Sequence, residues 1–458
     1  MGHFVTSKDI PAGGEKLPEG KFKTAQLVFG GIALVGFLAS LLVLWGAVGS
    51  KELQGSYSYS WLFALAFFIT ISIGGCFWVL LHNMTNSGWG VSVRRVMENV
   101  GFVYPFIFVF TIPLLFPQVQ ENLYEWMTAE KNAVAEVKAH HPEEASVGFF
   151  GVSEEVGKKL NDDHFALLTS KSWYLNSVAW TVRFVLFGLG LSFVIWFLRK
   201  LSVDQDTDPN PTTARLFKAR GSSAWGIPIL GLTITFLAID WLKTLNYTWF
   251  STMWGVYMFA GSLMASMAVV ILTTRFLKWQ GYLGKFVTDE HFHIMGKLMH
   301  AFVIFWAYVS FSQFMLIWYS NIPEETMYFA LRNTEEWHYL SLTLVFGHFA
   351  LPFLLLLPHW AKKKAGYNIA ICIFLLVMHA CDMYHIIMPQ RGPSLSNLWH
   401  DAHAPLLFIE GAYTWIGDIL AWVTVASGFL FFLLRNLKSV NLYPNQDPRI
   451  LESANMTN

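Results

Sequence analysis

Ten stretches of this chain are each apolar over the roughly 20 residues that an α-helix needs to cross the hydrocarbon core of a bilayer. They are 24–48, 58–82, 96–117, 174–198, 223–246, 252–276, 294–320, 337–360, 368–389 and 404–435. Backbone polar groups inside a bilayer must be satisfied within the protein, so only helices or a closed barrel can span it. No alternation of period two runs through these stretches, which argues against a barrel. The chain therefore reads as an all-α integral membrane protein with ten transmembrane helices. Composition agrees: 54% of residues are hydrophobic and 14% charged, against about 25% charged in soluble domains. Lys plus Arg and Asp plus Glu both total 31. This excludes a soluble enzyme, a basic nucleic-acid-binding chain and a disordered chain. Cys76, Cys372 and Cys381 all lie in apolar runs without CxxC spacing. No iron–sulfur cluster, thiolate zinc site or c-type haem is expected in the chain itself.

Orientation follows from Lys and Arg in the connections, which favour the cytoplasmic side. One side carries 20 of them, counting Arg275 and Arg435 at the ends of their spans, and the other 8. The richer side includes both termini, so both are expected on the cytoplasmic side. Residues 1–23 are polar and lack an early apolar core. A cleaved signal peptide is not supported there, and 24–48 reads as a permanent span. The long outer loop, 118–172, carries ten acidic residues against five Lys. Its 119–140 stretch reads as a helix ended by Pro142, and Ser153 as a cap for a second helix over 154–160. A lid or docking plate on the membrane surface is the expectation. His140, His141, Glu143, Glu144, Asp162, Asp163 and His164 have no fixed metal-ligand spacing and read as a solvated surface.

A weak internal repeat organises the spans. Ala238-Ile239-Asp240-Trp241 aligns with Ala380-Cys381-Asp382-Met383 at an offset of 142. Trp173 aligns with Trp337 at 164, Val96-Met97 with Leu298-Met299 at 202, and Trp61 with Trp254 at 193. The fall of 38 between the third and fourth spans matches the loops there, which are 55 and 16 residues long. Two tandem four-helix bundles follow, with two peripheral helices. Residues 1–56 hold the N-terminus and the first span, 57–246 bundle one and 247–389 bundle two. Residues 390–458 hold the tenth span and the C-terminus.

Ionisable side chains inside a span are costly, so they are functional candidates by default. On the ninth span His379, Asp382 and His385 follow at i, i+3 and i+6, along one face over about 9 Å of rise. His348 lies at mid-depth on the eighth span and His300 toward the inner end of the seventh. A proton relay needs titratable groups at successive depths, and imidazole suits that task. In bundle one, Asp240 could pair with Lys243 or with Arg183, either as a packing device or as an outer proton exit. Glu98 beside Arg94 and Arg95 reads as a helix-end pair. Glu410, Thr414 and Asp418 share a face of the tenth span that should meet protein.

The stretch Trp254–Leu277, which contains MFAGSLMASMAVVILTTRFL, has no short diagnostic motif, nor have His293–Asn321 and the HACDMYH run of the ninth span. Together with ten spans in two tandem bundles they resemble the NrfD/PsrC-type quinone-interacting membrane subunits. The similarity is greatest to the second such subunit of bacterial alternative complex III, a quinol:cytochrome c oxidoreductase. The resemblance implies partners: a sister NrfD-like subunit, an iron–sulfur subunit and c-haem subunits, which would hold the redox centres. It implies no cofactor bound by this chain, with quinol oxidation assigned mainly to the sister subunit. Two other readings compete. One is a quinol-binding anchor of a molybdenum or iron–sulfur oxidoreductase. The other is a stand-alone proton-coupled transporter, where helix breaks would fall at corresponding places in the two halves. Pro105, Pro113 and Pro228 have no counterparts in the second repeat, which speaks against the transporter.

Overall fold

The computed structural model describes residues 4–11, 13–208, 213–391 and 405–456, without the side chains of 335, 336 and 405–414. Ten helices long and apolar enough to span a membrane are present: α1 (Lys23–Leu44), α2 (Lys51–Thr85), α3 (Val91–Leu115), α4 (Ser177–Asp206), α5 (Ala214–Leu245), α6 (Trp254–Trp279), α7 (Asp289–Ser320), α8 (Trp337–Leu356), α9 (Ala365–Arg391) and α10 (Trp415–Ser439). The only strands among the described residues are β1 (Val147–Gly148) and β2 (Gly151–Val152), an antiparallel hairpin in the loop after α3.

Two four-helix bundles form the body. α2 packs on α3 and α5, and α4 closes the first bundle against α5 and α3. The second repeats the pattern: α6 packs on α7 and α9, with α8 between α7 and α9. The bundles meet where α2 crosses α6, and these are the two most buried spans. A helix that is apolar all round belongs in such a place. Two adjacent glycines allow the crossings. A Cβ on Gly74 would stand 2.3 Å from the carbonyl oxygen of Ser262 on α6, and one on Gly75 2.7 Å from the backbone N of Gly101 on α3. Both partners of α2 thus approach at backbone distance through one dipeptide. Outside the bundles, α10 lies on α2 and α1 lies on α10.

The termini share one face. Val5 and Asn455 exchange two hydrogen bonds of 2.7 Å, and Leu442 N donates to Glu15 O at 2.8 Å. The α2–α3 and α6–α7 connections join them there, through Arg449 to Asn86 O at 2.6 Å and Lys285 to Asp9 at 2.8 Å. The opposite face carries the 118–172 loop. Its expected long helix is two, Pro117–Leu123 and Glu125–His140, split where Tyr124 is extended. The second expected helix runs Glu154–Asp162 with Ser153 at its N-cap, but the Ser153 hydroxyl turns to Glu144 O instead of capping.

Several spans are irregular. α3 is interrupted around Phe102 and Phe110, close to Pro105 and Pro113, since proline removes a ladder hydrogen bond and clashes with the carbonyl four residues back. α8 widens to a π-helix over Leu344–Ala350. Pro352 follows, and the carbonyl it cannot bond is that of His348. α5 widens over Ala238–Leu242, where Trp180 Nε1 and Thr244 Oγ1 both donate to the Asp240 carbonyl, at 3.0 and 2.7 Å. A side chain inserted in the ladder is a recognised cause of such distortion. π-segments tend to mark functional positions, and here each contains one of the ionisable candidates.

Candidate functional site: two carboxylates in matching places

Asp382 is fully buried at the centre of bundle two. α9 presents it to α6 and α7, where Tyr257 Oη donates to one carboxylate oxygen and Trp306 Nε1 to the other, the latter at 3.1 Å. No cation lies within ion-pair distance of it among the described residues. One turn earlier, His379 is also fully buried. Its Nε2 meets Thr70 Oγ1 of α2 at 3.1 Å, across the bundle boundary. Its Nδ1 has no partner among the described residues. Gly261 of α6 makes room for this ring, since a Cβ there would lie 3.3 Å from Nδ1.

His348 approaches from the π-segment of α8. Trp306 packs against its ring with centroids 4.0 Å apart, and the His379 ring is 6.5 Å away. Neither nitrogen of His348 has a partner among the described residues. Buried polar atoms without partners are uncommon, and each asks for an explanation such as an ordered water or a catalytic role. Asp382, His379 and His348 thus form one cluster around Trp306, with three imidazole nitrogens open.

The remaining candidates stand apart. His385 bonds Ser341 Oγ of α8 at 2.9 Å, nearer the loop face. His300 packs beside Phe353, with ring centroids 5.3 Å apart. The shared stripe on α9 therefore fans out: His379 turns to α2, Asp382 to α6 and α7, and His385 to α8.

Bundle one resolves its carboxylate differently. Arg183 Nε donates to Asp240 Oδ2 at 2.8 Å and Nη2 to Oδ1 at 3.1 Å. Tyr174 Oη adds a bond of 2.8 Å and places its ring 3.9 Å from the guanidinium. The carboxylate partner is Arg183, not Lys243. A cleft of about 20 Å³, bordered by Tyr104, Phe108, Arg183, Thr233 and Asp240, adjoins the pair, which is room for one water. The repeat offsets set Gly347 of bundle two opposite Arg183, and Trp306 opposite Tyr104. The second bundle has no arginine where the first has one, and an indole N–H takes up part of its carboxylate.

Several members were not evident from sequence. Tyr257 and Trp306 were hidden among 16 Tyr and 20 Trp. Arg332, in the α7–α8 connection, is buried and caps α9 by donating to His385 O at 3.1 Å and Ile386 O at 2.8 Å. Its guanidinium lies 3.5 Å from the Tyr328 ring centre. Tyr328 stacks on Trp249, Trp249 meets Trp254, and Trp254 stacks on Tyr257. An aromatic column so connects Arg332 to Asp382.

Other expected pairs are wider networks. Glu98 meets Arg94 at 3.3 Å and Arg95 at 3.4 Å, and also accepts from Ser202 at 2.7 Å. Arg94 reaches on to Asp447 at 2.8 Å, and Arg95 to Asp206 at 2.9 Å. Asp418 of α10 takes Arg391 at 2.8 Å and Ser60 of α2 at 2.5 Å. The side chains of Glu410 and Thr414 lie outside the described residues. No protein-family model matches the sequence, and no curated protein matches it.

Proposed function

We propose that the chain is an integral membrane subunit of a bacterial respiratory quinol:cytochrome c oxidoreductase, or of one with another periplasmic acceptor, and that bundle two carries protons. Partner subunits hold the iron–sulfur clusters and c haems: a sister NrfD-like subunit, an iron–sulfur subunit and c-haem subunits. Quinol is the reductant of the complex. The termini face the cytoplasm, as the charge asymmetry of the connections favours.

The observation that supports this reading is the contrast between the two carboxylates. Asp240 is matched by a guanidinium, the arrangement of a structural pair. Asp382 is held by two neutral donors beside imidazoles with open nitrogens. A carboxylate without a counter-charge in a membrane interior is suited to gaining and losing a proton. Quinol oxidation releases two protons with its two electrons, so such a complex has protons to route. His379, bonded to Thr70 of α2, with Asp382 one turn on and His385 beyond, sets polar groups at successive levels of α9. Water can close the remaining gaps where polar partners exist.

Purification from native membranes, followed by identification of the accompanying subunits, tests the assignment. Iron–sulfur and c-haem subunits are expected. A molybdenum subunit would instead favour the anchor reading, and a monodisperse chain alone would favour the transporter. Within an assembled complex in vesicles, Asp382→Asn should lower the proton-to-electron ratio. A wild-type ratio would leave the cluster as packing only.

A further inference from the structure

The 118–172 loop is acidic, yet residues 145–153 form its longest uncharged run, Ala-Ser-Val-Gly-Phe-Phe-Gly-Val-Ser. This run is the β1–β2 hairpin, with Val147 paired to Val152 and Gly148 to Gly151. Phe149 and Phe150 are its tip. Gly151 sits at φ +136°, a conformation that side-chain-bearing residues rarely adopt, so the turn geometry is built in. Phe150 is 89% exposed and Phe149 46%. Two aromatic rings at the end of a charge-free turn are a poor fit to water and to an otherwise hydrophilic loop.

The place of the hairpin says what covers the tip. Asn176 caps α4 through Ala179 N at 2.7 Å, and its Nδ2 also reaches Phe149 O at 3.5 Å. The tip is thereby tied to the first turn of a spanning helix, at the level where a bilayer surface lies. Trp173, 67% exposed, stands beside it in the same connection. Interfacial tryptophans mark that level. Below it α4 exposes Val178, Val182, Val185, Leu186, Leu189 and Phe193, a single face at helical spacing that the lipid covers. The hairpin tip and Trp173 continue this apolar stripe upward, and the sequence between Trp173 and Val178 carries no charged residue.

We propose that the Phe149–Phe150 tip inserts into the bilayer interface beside α4 and anchors the loop-face layer to the lipid. The proposal needs the membrane fold alone, and holds whether or not the functional reading above is right.

The test uses the full-length chain, with the subunits that accompany it, in phosphatidylcholine–phosphatidylglycerol nanodiscs. Nitroxide is attached at Phe150→Cys, and in a second variant at Phe149→Cys. Leu186→Cys serves as the lipid reference and Glu143→Cys as the water reference. Cys76 and Cys372 are buried and Cys381 is half-buried, so the unsubstituted protein gives the labelling blank. Collision with oxygen should exceed collision with a water-soluble nickel chelate at both tip sites, as at Leu186. Nickel exceeding oxygen, as at Glu143, would place the tip in water and overturn the proposal. Low values for both probes would mean a tip packed in protein, and would overturn it equally.

Discussion

Asp240 and Asp382 stand at matching positions on the fourth helix of each bundle, and only Asp240 meets a cation. The repeat offset of 142 relates them, and both are buried. Arg183 contributes two hydrogen bonds to Asp240. Asp382 has a phenol and an indole. The repeated framework thus carries the carboxylate twice and the counter-charge once.

The α2–α6 crossing should be the least tolerant point of the fold. Gly74→Ala would bring a Cβ to 2.3 Å from the Ser262 carbonyl, a backbone atom that cannot rotate away. Overpacking of this kind costs about 1–3 kcal/mol or more. Gly31→Ala on α1 meets nothing within 4 Å and should be neutral or stabilising by roughly 0.5–1 kcal/mol. Thermal denaturation of the two variants in detergent checks the contrast; equal midpoints would count against the close crossing.

Arg332 should matter more than a loop residue ordinarily does. Arg332→Met keeps much of the side chain's length but leaves the carbonyls of His385 and Ile386 without their donor. Each orphaned buried acceptor costs on the order of 1–3 kcal/mol. The loss should be local, so backbone amide exchange at the end of α9 should rise while that of α2 stays unchanged. Uniform exchange across both helices would refute the capping role.

The N-terminal segment should come loose in acid. Lys285 and Thr6 hold the Asp9 carboxyl well below its ordinary value of 3.8. A depressed folded-state value contributes stability that is fully present above the unfolded value and is lost as pH falls through the folded one. The attachment should therefore hold from neutral pH to about 4 and weaken only below that. A nitroxide at Phe4→Cys should become mobile over that acid range, and Asp9→Asn should make it mobile at neutral pH. Mobility that does not change with pH would show that the pair is not what holds the segment.

Much of this was legible because the bilayer restricts the alternatives. Length and apolarity alone located ten spans, and residue matches at offsets that change with loop length located the repeat of four helices. Asp240 could be assigned two candidate cations but not one, because Lys243 and Arg183 are both at plausible depth and only the helix–helix geometry separates them. The neighbours of Asp382 were not legible, since Tyr257 and Trp306 resemble the many aromatics that face lipid. The widening of α8 had a readable signal in Pro352, whose missing N–H falls on the His348 carbonyl. The hairpin had one too, in Gly-Phe-Phe-Gly within an acidic loop, but two-residue strands carry too little periodicity to be recognised.

The two carboxylates should respond oppositely to loss of charge. Asp240→Asn leaves the Arg183 guanidinium buried without its counter-charge, and its bidentate bond falls to one acceptor. Removing one member of a buried pair costs about 3–5 kcal/mol, and part of that should appear here because Asn still accepts one bond. Asp382→Asn strands no charge. The Asn carbonyl can accept from Trp306 while its amide donates to the Tyr257 oxygen, since a hydroxyl is donor and acceptor alike. Asp382→Asn should therefore melt within about 1 kcal/mol of the parent, and Asp240→Asn well below it. Arg183→Met combined with Asp240→Asn should recover most of the loss, because no buried charge remains. Differential scanning fluorimetry of the four proteins in one detergent decides the matter. If Asp382→Asn is the more damaging change, Asp382 is a packing residue, and the asymmetry between the bundles has been misread.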